Sequence, residues 1–307
     1  MTLESNYRSL TYGDWHLRVL PDRWNEQLWR HLLTLIGRQV SSRHPQTVRL
    51  RFPDNERGDL LFLKVFHSFS RAGMLKDYLR ESKAFRSLRQ GIALSRAGFL
   101  VPTTIVAGEE RSYRFLKRAF VLTLAIPGEP MPVFLQNRHL VRNANWSPAR
   151  KRSALENLAR EIQRLHELGF IHGDLVPSNI MVTERPGGEL EFYLMDNDRT
   201  RRYPPWFPQT LWKRNLVQLN RFPLPGISLQ DRMRFFRSYA GRPDWNRVDW
   251  RLLGWLERKT RARRKECDAV DDTVSFRRLM RWDRELVDPN PSLSRERRGI
   301  FSSRRER

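Results

Sequence analysis

The chain has 307 residues, of which 57 are Lys or Arg and 34 are Asp or Glu, so its formal net charge is +23. Hydrophobic residues make up 39% of it, which is enough to bury a core and excludes a chain that is disordered throughout. Cys267 is the only cysteine, which excludes an intramolecular disulfide and a cysteine-based zinc site. We expect neither a signal peptide nor a membrane span, because no apolar run is long enough for either. A surface this basic favours polyanionic partners.

The first predicted element is a helix in the N-terminal segment. A set of apolar side chains recurs at helical spacing before Gly37, namely Leu28, Trp29, Leu32, Leu33 and Ile36. We therefore interpret residues 1–45 as an N-terminal helical extension. Packing on the domain that follows is its expected role, and partner binding is the alternative.

A β-hairpin is predicted next. Two apolar strands, TVRLRF from Thr47 and LLFLKVF from Leu60, flank a polar turn around residues 55–58. Lys64 lies among the apolar residues of the second strand, where a buried ammonium group is destabilising unless an anion meets it. We therefore expect a partner or a ligand at Lys64. The alternative is an edge strand from which the lysine reaches water.

A long basic segment after Ser70 is compatible with a helix that ends near Arg96. Glu81 in this segment is the candidate counter-charge for Lys64, and a surface ion pair with a neighbouring Lys or Arg is the alternative. Further strands are predicted up to Pro127, and the next helix ends at Gly169, a residue typical of helix C-termini.

The most informative stretch runs from residue 170 to residue 199. It contains His172, Asp174 and Asn179 in the order H-x-D-L-x-x-x-N. This is the spacing of a kinase catalytic loop, in which the Asp handles the acceptor hydroxyl and the Asn holds a metal ion. The stretch therefore indicates phosphoryl transfer.

Two further carboxylates suit the same chemistry. Phosphoryl transfer depends on positioning and on the neutralisation of negative charge by hard cations with oxygen ligands. Asn179 and Asp196 are ligands of that kind, and a hairpin that turns at residues 186–188 would place them side by side. Asp198 is a candidate for an additional metal ligand or for a carboxylate on the acceptor side.

The segment after Asp198, RTRRYPPWFPQT, is basic, aromatic and rich in proline. It occupies the place of a kinase activation segment. Arg199, Arg201 and Arg202 are candidates for holding an anionic acceptor such as a phosphorylated sugar. A solvated basic loop is the alternative.

These motifs resemble those of the lipopolysaccharide kinase family, bacterial enzymes that phosphorylate heptose or 3-deoxy-octulosonate sugars of the lipopolysaccharide inner core. The resemblance rests on the catalytic loop, on the acid-x-acid-Arg ending at residues 196–199 in place of D-F-G, and on the order R-E-x-x-A-F around Glu81. Protein kinases usually carry Lys or Arg two residues after the catalytic Asp, where this chain has Val176. The resemblance implies an α+β, protein-kinase-like two-lobed fold with a small strand-rich N-terminal lobe and a helical C-terminal lobe.

The resemblance also implies an activity. We expect an ATP- and Mg²⁺-dependent phosphotransferase that acts on a sugar hydroxyl of the lipopolysaccharide core or a related glycolipid. Asp174 would be the catalytic residue, His172 would brace its loop, and Lys64 held by Glu81 would bind the nucleotide phosphates. The alternatives are an atypical Ser/Thr protein kinase, a small-molecule phosphotransferase, and a non-catalytic basic pseudokinase scaffold that binds RNA or membrane.

Four regions follow from this interpretation. After the extension come an N-lobe at residues 46–128, a C-lobe at 129–285 and a basic, disordered tail at 286–307. Three helices are predicted within the C-lobe, from about Leu211, Ser228 and Trp245. We expect a cytoplasmic protein whose basic C-terminal runs attach it peripherally to the anionic inner membrane, with an anionic glycolipid as its partner and nucleic acid as an alternative partner.

Overall fold

The computed structural model describes residues 6–38, 46–51, 59–67, 80–113, 115–140, 146–204, 206, 210–222, 224–242 and 244–270. The chain divides into two compact units. The first comprises Met1–Pro130 and Arg164–Asn215, and the second comprises Met131–Gln163 and Leu216–Arg307. The lobe boundaries expected at residues 45, 128 and 285 stay a prediction, and the expected tail at 286–307 lies outside the described residues.

The first unit contains an antiparallel sheet of six strands in the order β1-β2-β5-β6-β4-β3. In chain order these strands are β1 (Arg8–Tyr12), β2 (Trp15–Val19), β3 (Gln46–Arg51), β4 (Leu60–His67), β5 (Thr104–Ser112) and β6 (Phe115–Leu124). The predicted pairing of the two apolar strands is confirmed, since Thr47 lies opposite Lys64. The turn expected at residues 55–58 lies outside the described residues.

One face of this sheet is covered by helix α1 (Glu26–Arg38). Its buried residues Leu28, Trp29, Leu32 and Ile36 share a core with the inward side chains of the sheet. The helix was predicted, but the description of residues 1–45 as a helical extension was incomplete. The hairpin of β1 and β2 precedes the helix and joins the sheet through pairing of β2 with β5.

The other face of the sheet packs against helix α2 (Lys83–Arg96). Side chains alternate along a strand, so Lys64 and Phe66 point to this face while Leu63 and Val65 point to the α1 core. The helix begins after Ser82, whose Oγ accepts a hydrogen bond from the backbone N–H of Phe85 at 3.2 Å. The earlier start expected near residue 70 falls outside the described residues.

Two small sheets complete the first unit. A three-stranded sheet has the order β10-β9-β7, and a two-stranded ladder joins β11 to β8. Their strands are β7 (Glu129–Pro130), β8 (Phe170–Ile171), β9 (Ile180–Glu184), β10 (Leu190–Leu194) and β11 (Arg201–Arg202).

The remaining helices are α3 (Met131–Leu140), α4 (Pro148–Glu167), α5 (Trp212–Leu219), α6 (Leu229–Ala240) and α7 (Arg247–Val270). The three helices predicted beyond residue 210 are therefore confirmed. So is the capping box of Ser228 and Asp231, while Gly241 ends α6 in the left-handed conformation at φ +68°. Among the described helices, none has the length and apolar character needed to cross a membrane.

Asp231 anchors the start of α6 from within the second unit. Its side chain is 1% exposed, and its Oδ2 accepts hydrogen bonds from Ser228 N at 2.9 Å and from Lys151 Nζ at 2.8 Å. Burial alone would raise the pKa of Asp231, but the hydrogen bonds from Lys151 and Ser228 outweigh it and lower the pKa to about 2. The ionised carboxylate therefore stabilises the fold above about pH 4, and this stabilisation is lost as the pH falls toward 2.

We predict that Asp231→Asn lowers the free energy of unfolding by about 2 kcal/mol at pH 6, because the charged acceptor is lost. The difference from the wild type should shrink as the pH falls from 4 to 2, which urea unfolding at a series of pH values would measure. Asp14→Asn is the control, because Asp14 is exposed and pairs only loosely with Lys117 at 3.4 Å. A difference for Asp231→Asn that stays constant over this pH range would contradict the prediction.

Candidate active site

The catalytic-loop sequence begins where β8 ends. His172 follows directly and its side chain is completely buried. Its Nε2 lies 2.8 Å from the carbonyl oxygen of Met195, which can only accept, so Nε2 carries the proton. Burial lowers the pKa of His172 despite the opposing effects of the Met195 hydrogen bond and of the charges of Asp196 and Asp174, so the ring is neutral. His172 thereby ties the start of the loop to the residue that precedes Asp196.

Asn179 fixes the geometry of the loop around Asp174. The Asn179 Nδ2 donates a hydrogen bond to the backbone oxygen of Asp174 at 2.9 Å. The backbone N–H of Val176 donates to the same oxygen at 2.9 Å. Because the amide nitrogen of Asn179 is used in this way, the side-chain oxygen is the atom left for another ligand.

The predicted hairpin between the two candidate metal ligands is confirmed. Strands β9 and β10 pair antiparallel, with Leu194 opposite Ile180. One residue beyond this pair, the Met195 N–H donates to the Asn179 carbonyl oxygen at 2.9 Å. Asn179 and Asp196 therefore lie close to each other at the open end of this hairpin.

Asp196 adopts a left-handed backbone conformation with φ +58°, which is rare for a residue other than glycine. A short 3-10 turn, Asn197–Arg199, follows it. The Lys64 Nζ lies 2.6 Å from the Asp196 Oδ1, and the two side chains are 25% and 34% exposed. The anionic partner expected at Lys64 is thus present, and it is Asp196.

Glu81 does not occupy the position expected from the sequence. It precedes α2 instead of lying on it, and its Oε2 is 3.0 Å from the Arg89 Nη2. The pairing of Lys64 with Glu81 is not formed, because Asp196 holds the lysine and Arg89 holds the glutamate. Helix α2 itself contains no acidic residue that could replace Glu81.

Asp198 lies in the turn that packs against α2. Burial raises the pKa of Asp198, and the neighbouring charge of Asp196 raises it further, against the lowering effects of Lys64, Lys83 and Arg199. A proton or a cation at this pair of carboxylates is therefore favoured.

Lys83 is a basic residue near the site that the sequence analysis missed. Its Nζ lies 5.9 Å from the centre of the Phe66 ring, and the Nζ of Lys64 lies 5.4 Å from the same ring. Ser82 marks the start of a helix by its capping hydrogen bond. Recognition of this cap in the sequence would have placed Lys83 at the first turn, on the same face of the sheet as Lys64.

The three candidate arginines do not form one cluster. The Arg199 Nη1 lies 3.7 Å from the Asp174 Oδ2, so this guanidinium is at the site. Arg201 and Arg202 are consecutive residues of β11 and point to opposite sides of the ladder. Arg202 donates to the backbone oxygen of Leu168 and lies over the ring of Phe170, so it belongs to a different surface.

The donor set fits a hard divalent cation. Asn179 offers an amide oxygen, and Asp196 and Asp198 offer carboxylates, which are the ligands that Mg²⁺ shares with nucleotide phosphates. Within the described part of the chain, no group of three His, Cys, Asp or Glu side chains could hold a metal ion. A cation bound here would therefore depend on the Asn179 oxygen and on ligands from a nucleotide.

Gly173 allows the loop and the 3-10 turn to approach each other. Its φ is +78°, and a Cβ at this position would lie 2.6 Å from the Arg199 backbone oxygen. Gly187 in the hairpin turn also has a positive φ, +106°, but a Cβ there would meet nothing within 4 Å. Gly173 therefore combines a positive φ with a close contact, whereas Gly187 has the positive φ alone.

We predict that Gly173→Ala lowers the free energy of unfolding by about 1–3 kcal/mol more than Gly187→Ala does, because only the first substitution adds an overlap to the unfavourable φ. Urea unfolding of the two variants would measure this difference. Equal effects of both substitutions would show that the close approach of Gly173 and Arg199 does not matter.

Comparison with solved structures identifies the fold. "WaaP in complex with acyl carrier protein" is 21% identical, covers 78% of this chain and 95% of that chain, and has a TM-score of 0.55. Two mutant forms of the PknI kinase domain from Mycobacterium tuberculosis are 14% identical, cover 81% of this chain and 80% or 82% of theirs, and have TM-scores of 0.35. A search of curated proteins finds no match. The similarity to WaaP confirms the kinase-like α+β fold.

A family model matches the chain over residues 46–239, which is more than half of its length. The matched segment contains the sheet residue Lys64, the catalytic loop and the Asp196–Arg199 turn. Kinases use elements of this kind for phosphoryl transfer. The match to a kinase family shows that the chain is a kinase. It belongs to the lipopolysaccharide kinase (Kdo/WaaP) family.

Proposed function

We propose that this kinase transfers the γ-phosphoryl group of ATP to a sugar hydroxyl of the lipopolysaccharide inner core or of a related glycolipid. The observation that carries the proposal is the convergence of Asp174, Asn179, Asp196 and Lys64 in one unit of the structure. Each of these residues has a separate task in phosphoryl transfer. Membership of the family supports the choice of acceptor.

At the acceptor end, Asp174 orients the sugar hydroxyl and accepts its proton. Hydrogen bonds from Asn179 and Val176 to the backbone oxygen of Asp174 hold the backbone of this loop before the acceptor arrives. Arg199 beside it supplies positive charge for an anionic group of the acceptor. Arg201, the first residue of β11, remains a proposed acceptor contact.

At the nucleotide end, Lys64 binds the phosphates of ATP. Its ammonium group has three N–H donors, and Asp196 accepts from one of them. Asn179, Asp196 and Asp198 would hold Mg²⁺, which would neutralise the negative charge that develops on the transferred phosphoryl group. Glu81 would support Lys64 only after leaving Arg89, so we assign it a secondary role.

The structure offers no separate support for a protein acceptor. Val176 stands where protein kinases usually carry a Lys or Arg, and the Asp196–Arg199 ending replaces D-F-G. Both features accord with a glycolipid acceptor. An activity assay with glycolipid and protein acceptors would therefore distinguish a glycolipid kinase from a protein kinase and from a non-catalytic scaffold.

We also propose a location and partners. A chain with a net charge of +23 would be attracted to the anionic inner face of a membrane, where an anionic glycolipid acceptor is accessible from the cytoplasm. The related WaaP is found in complex with acyl carrier protein. An acyl carrier protein is accordingly the protein partner that we propose to test by co-purification with the full chain.

The mechanism predicts distinct effects for two isosteric substitutions. Asp174→Asn should lower kcat by about 10²–10⁴-fold with little change in ATP affinity, because it removes the general base but leaves the nucleotide end intact. Asp196→Asn should weaken Mg²⁺-dependent ATP binding as well, because it removes a metal ligand and the partner of Lys64. Steady-state kinetics and nucleotide titrations of the purified variants would measure both effects.

Asp14→Asn is the matched control for this experiment, because Asp14 lies in the β1–β2 turn and makes only a surface contact to Lys117. It should retain wild-type kinetics. Full activity in Asp174→Asn would contradict the assigned chemistry. Absence of both ATP binding and transfer in the wild type would favour the scaffold interpretation.

A further inference from the structure

A basic groove that the catalytic scheme does not use lies in the first unit. Its volume is about 530 Å³, and its lining consists of Ala93, Arg96, Ala97, Arg164, Leu168 and Arg202. None of these residues belongs to the proposed ATP or metal site. Three of the six lining residues are arginines, whereas none is acidic.

Two of these guanidinium groups are fixed in place. Arg164 donates to the backbone oxygens of Ala97 at 2.8 Å and of Gly98 at 3.0 Å, and it lies 4.1 Å from the centre of the Phe99 ring. Its charge thereby compensates the carbonyl groups at the C-terminal end of α2, which would otherwise repel an anion. The helix end therefore does not cancel the positive charge that Arg96 and Arg202 bring to the groove.

Arg202 is held by a similar combination of contacts. Its Nε donates to the Leu168 backbone oxygen at 3.3 Å, and its guanidinium lies 5.2 Å from the centre of the Phe170 ring. The rings of Phe170 and Phe99 pack edge to face at 6.1 Å, so the two arginines rest on one aromatic pair. Among the described residues, Arg202 donates a hydrogen bond only through Nε, so both of its Nη groups can donate to a ligand.

Arg96 adds a third cation on the exposed last turn of α2. Within the described residues, neither Arg96 nor Arg202 forms a salt bridge with a carboxylate. Ala93, Ala97 and Leu168 supply an apolar wall next to the cations. The groove thus combines fork-shaped donors with a surface suited to carbon atoms, which is how proteins bind phosphate esters.

We propose that this groove is a binding site for a phosphate monoester, separate from the site of phosphoryl transfer. The phosphate would accept hydrogen bonds from Arg202 and Arg96, and the carbon skeleton of the ligand would contact the apolar wall. The ester belongs either to a phosphorylated saccharide or to a lipid headgroup. Because β11 pairs with β8, a ligand on Arg202 would contact the strand pair that leads into the catalytic loop.

The test is a calorimetric titration of the full chain with glucose 6-phosphate and, separately, with vesicles that contain phosphatidic acid. Arg202→Gln and Arg96→Gln should each weaken binding roughly tenfold or more, because each removes hydrogen bonds to a charged group. Arg96→Gln should not disturb folding, because Arg96 is exposed, so its effect on binding can be measured on the folded protein. Loss of affinity for the sugar phosphate alone would identify a saccharide ligand, and loss for vesicles alone would identify a lipid headgroup.

Two controls separate this groove from other basic surfaces. Arg160→Gln removes an exposed arginine one turn earlier on α4 that pairs with Glu156, and it should not alter binding. Lys117→Gln removes a half-exposed lysine of β6 that pairs with Asp14 and should likewise leave binding unchanged. The proposal is overturned if neither probe binds, or if Arg96→Gln and Arg202→Gln bind both probes as the wild type does. Neither result depends on whether phosphotransferase activity is found.

Discussion

The geometry of the site depends on one ion pair between distant parts of the chain. Lys64 and Asp196 are separated by 132 residues, yet their Nζ and Oδ1 atoms are 2.6 Å apart. Both side chains are partly buried, so the loss of either would leave the other charge with less compensation. The pair places the proposed phosphate-binding cation of β4 beside the proposed metal-binding carboxylate that follows β10.

Charge compensation extends beyond this pair to the rest of the site. Among the described residues, the site brings together positive side chains, Lys64, Lys83 and Arg199, and negative ones, Asp174, Asp196 and Asp198. ATP with a divalent cation brings both signs of charge, so each set of side chains would gain a partner on binding. The raised pKa of Asp198 agrees with this view, because burial and the charge of Asp196 disfavour its ionised form more than Lys64, Lys83 and Arg199 favour it, and a bound cation would reverse this balance.

Local parts of the site could be predicted from the sequence, whereas long-range contacts could not. The hairpin that joins Asn179 to Asp196 follows from two apolar strands and a glycine-rich turn, all within 20 residues. The pairing of Lys64 with Asp196 in place of Glu81 could not be predicted. It depends on where α2 begins and on a carboxylate that lies 132 residues further along the chain. The separation of Arg202 from Arg199 likewise follows from the pairing of β11 with β8.

We propose that this member of the lipopolysaccharide kinase (Kdo/WaaP) family phosphorylates a sugar. The most direct test locates the phosphate after the full chain has reacted with Mg²⁺, ATP and lipopolysaccharide core glycolipid, by mass spectrometry of the released core saccharide. We expect one added phosphate monoester on a core sugar hydroxyl, and none without ATP. Unmodified saccharide, with the phosphate found on added protein instead, would show that the acceptor is a protein and not a sugar.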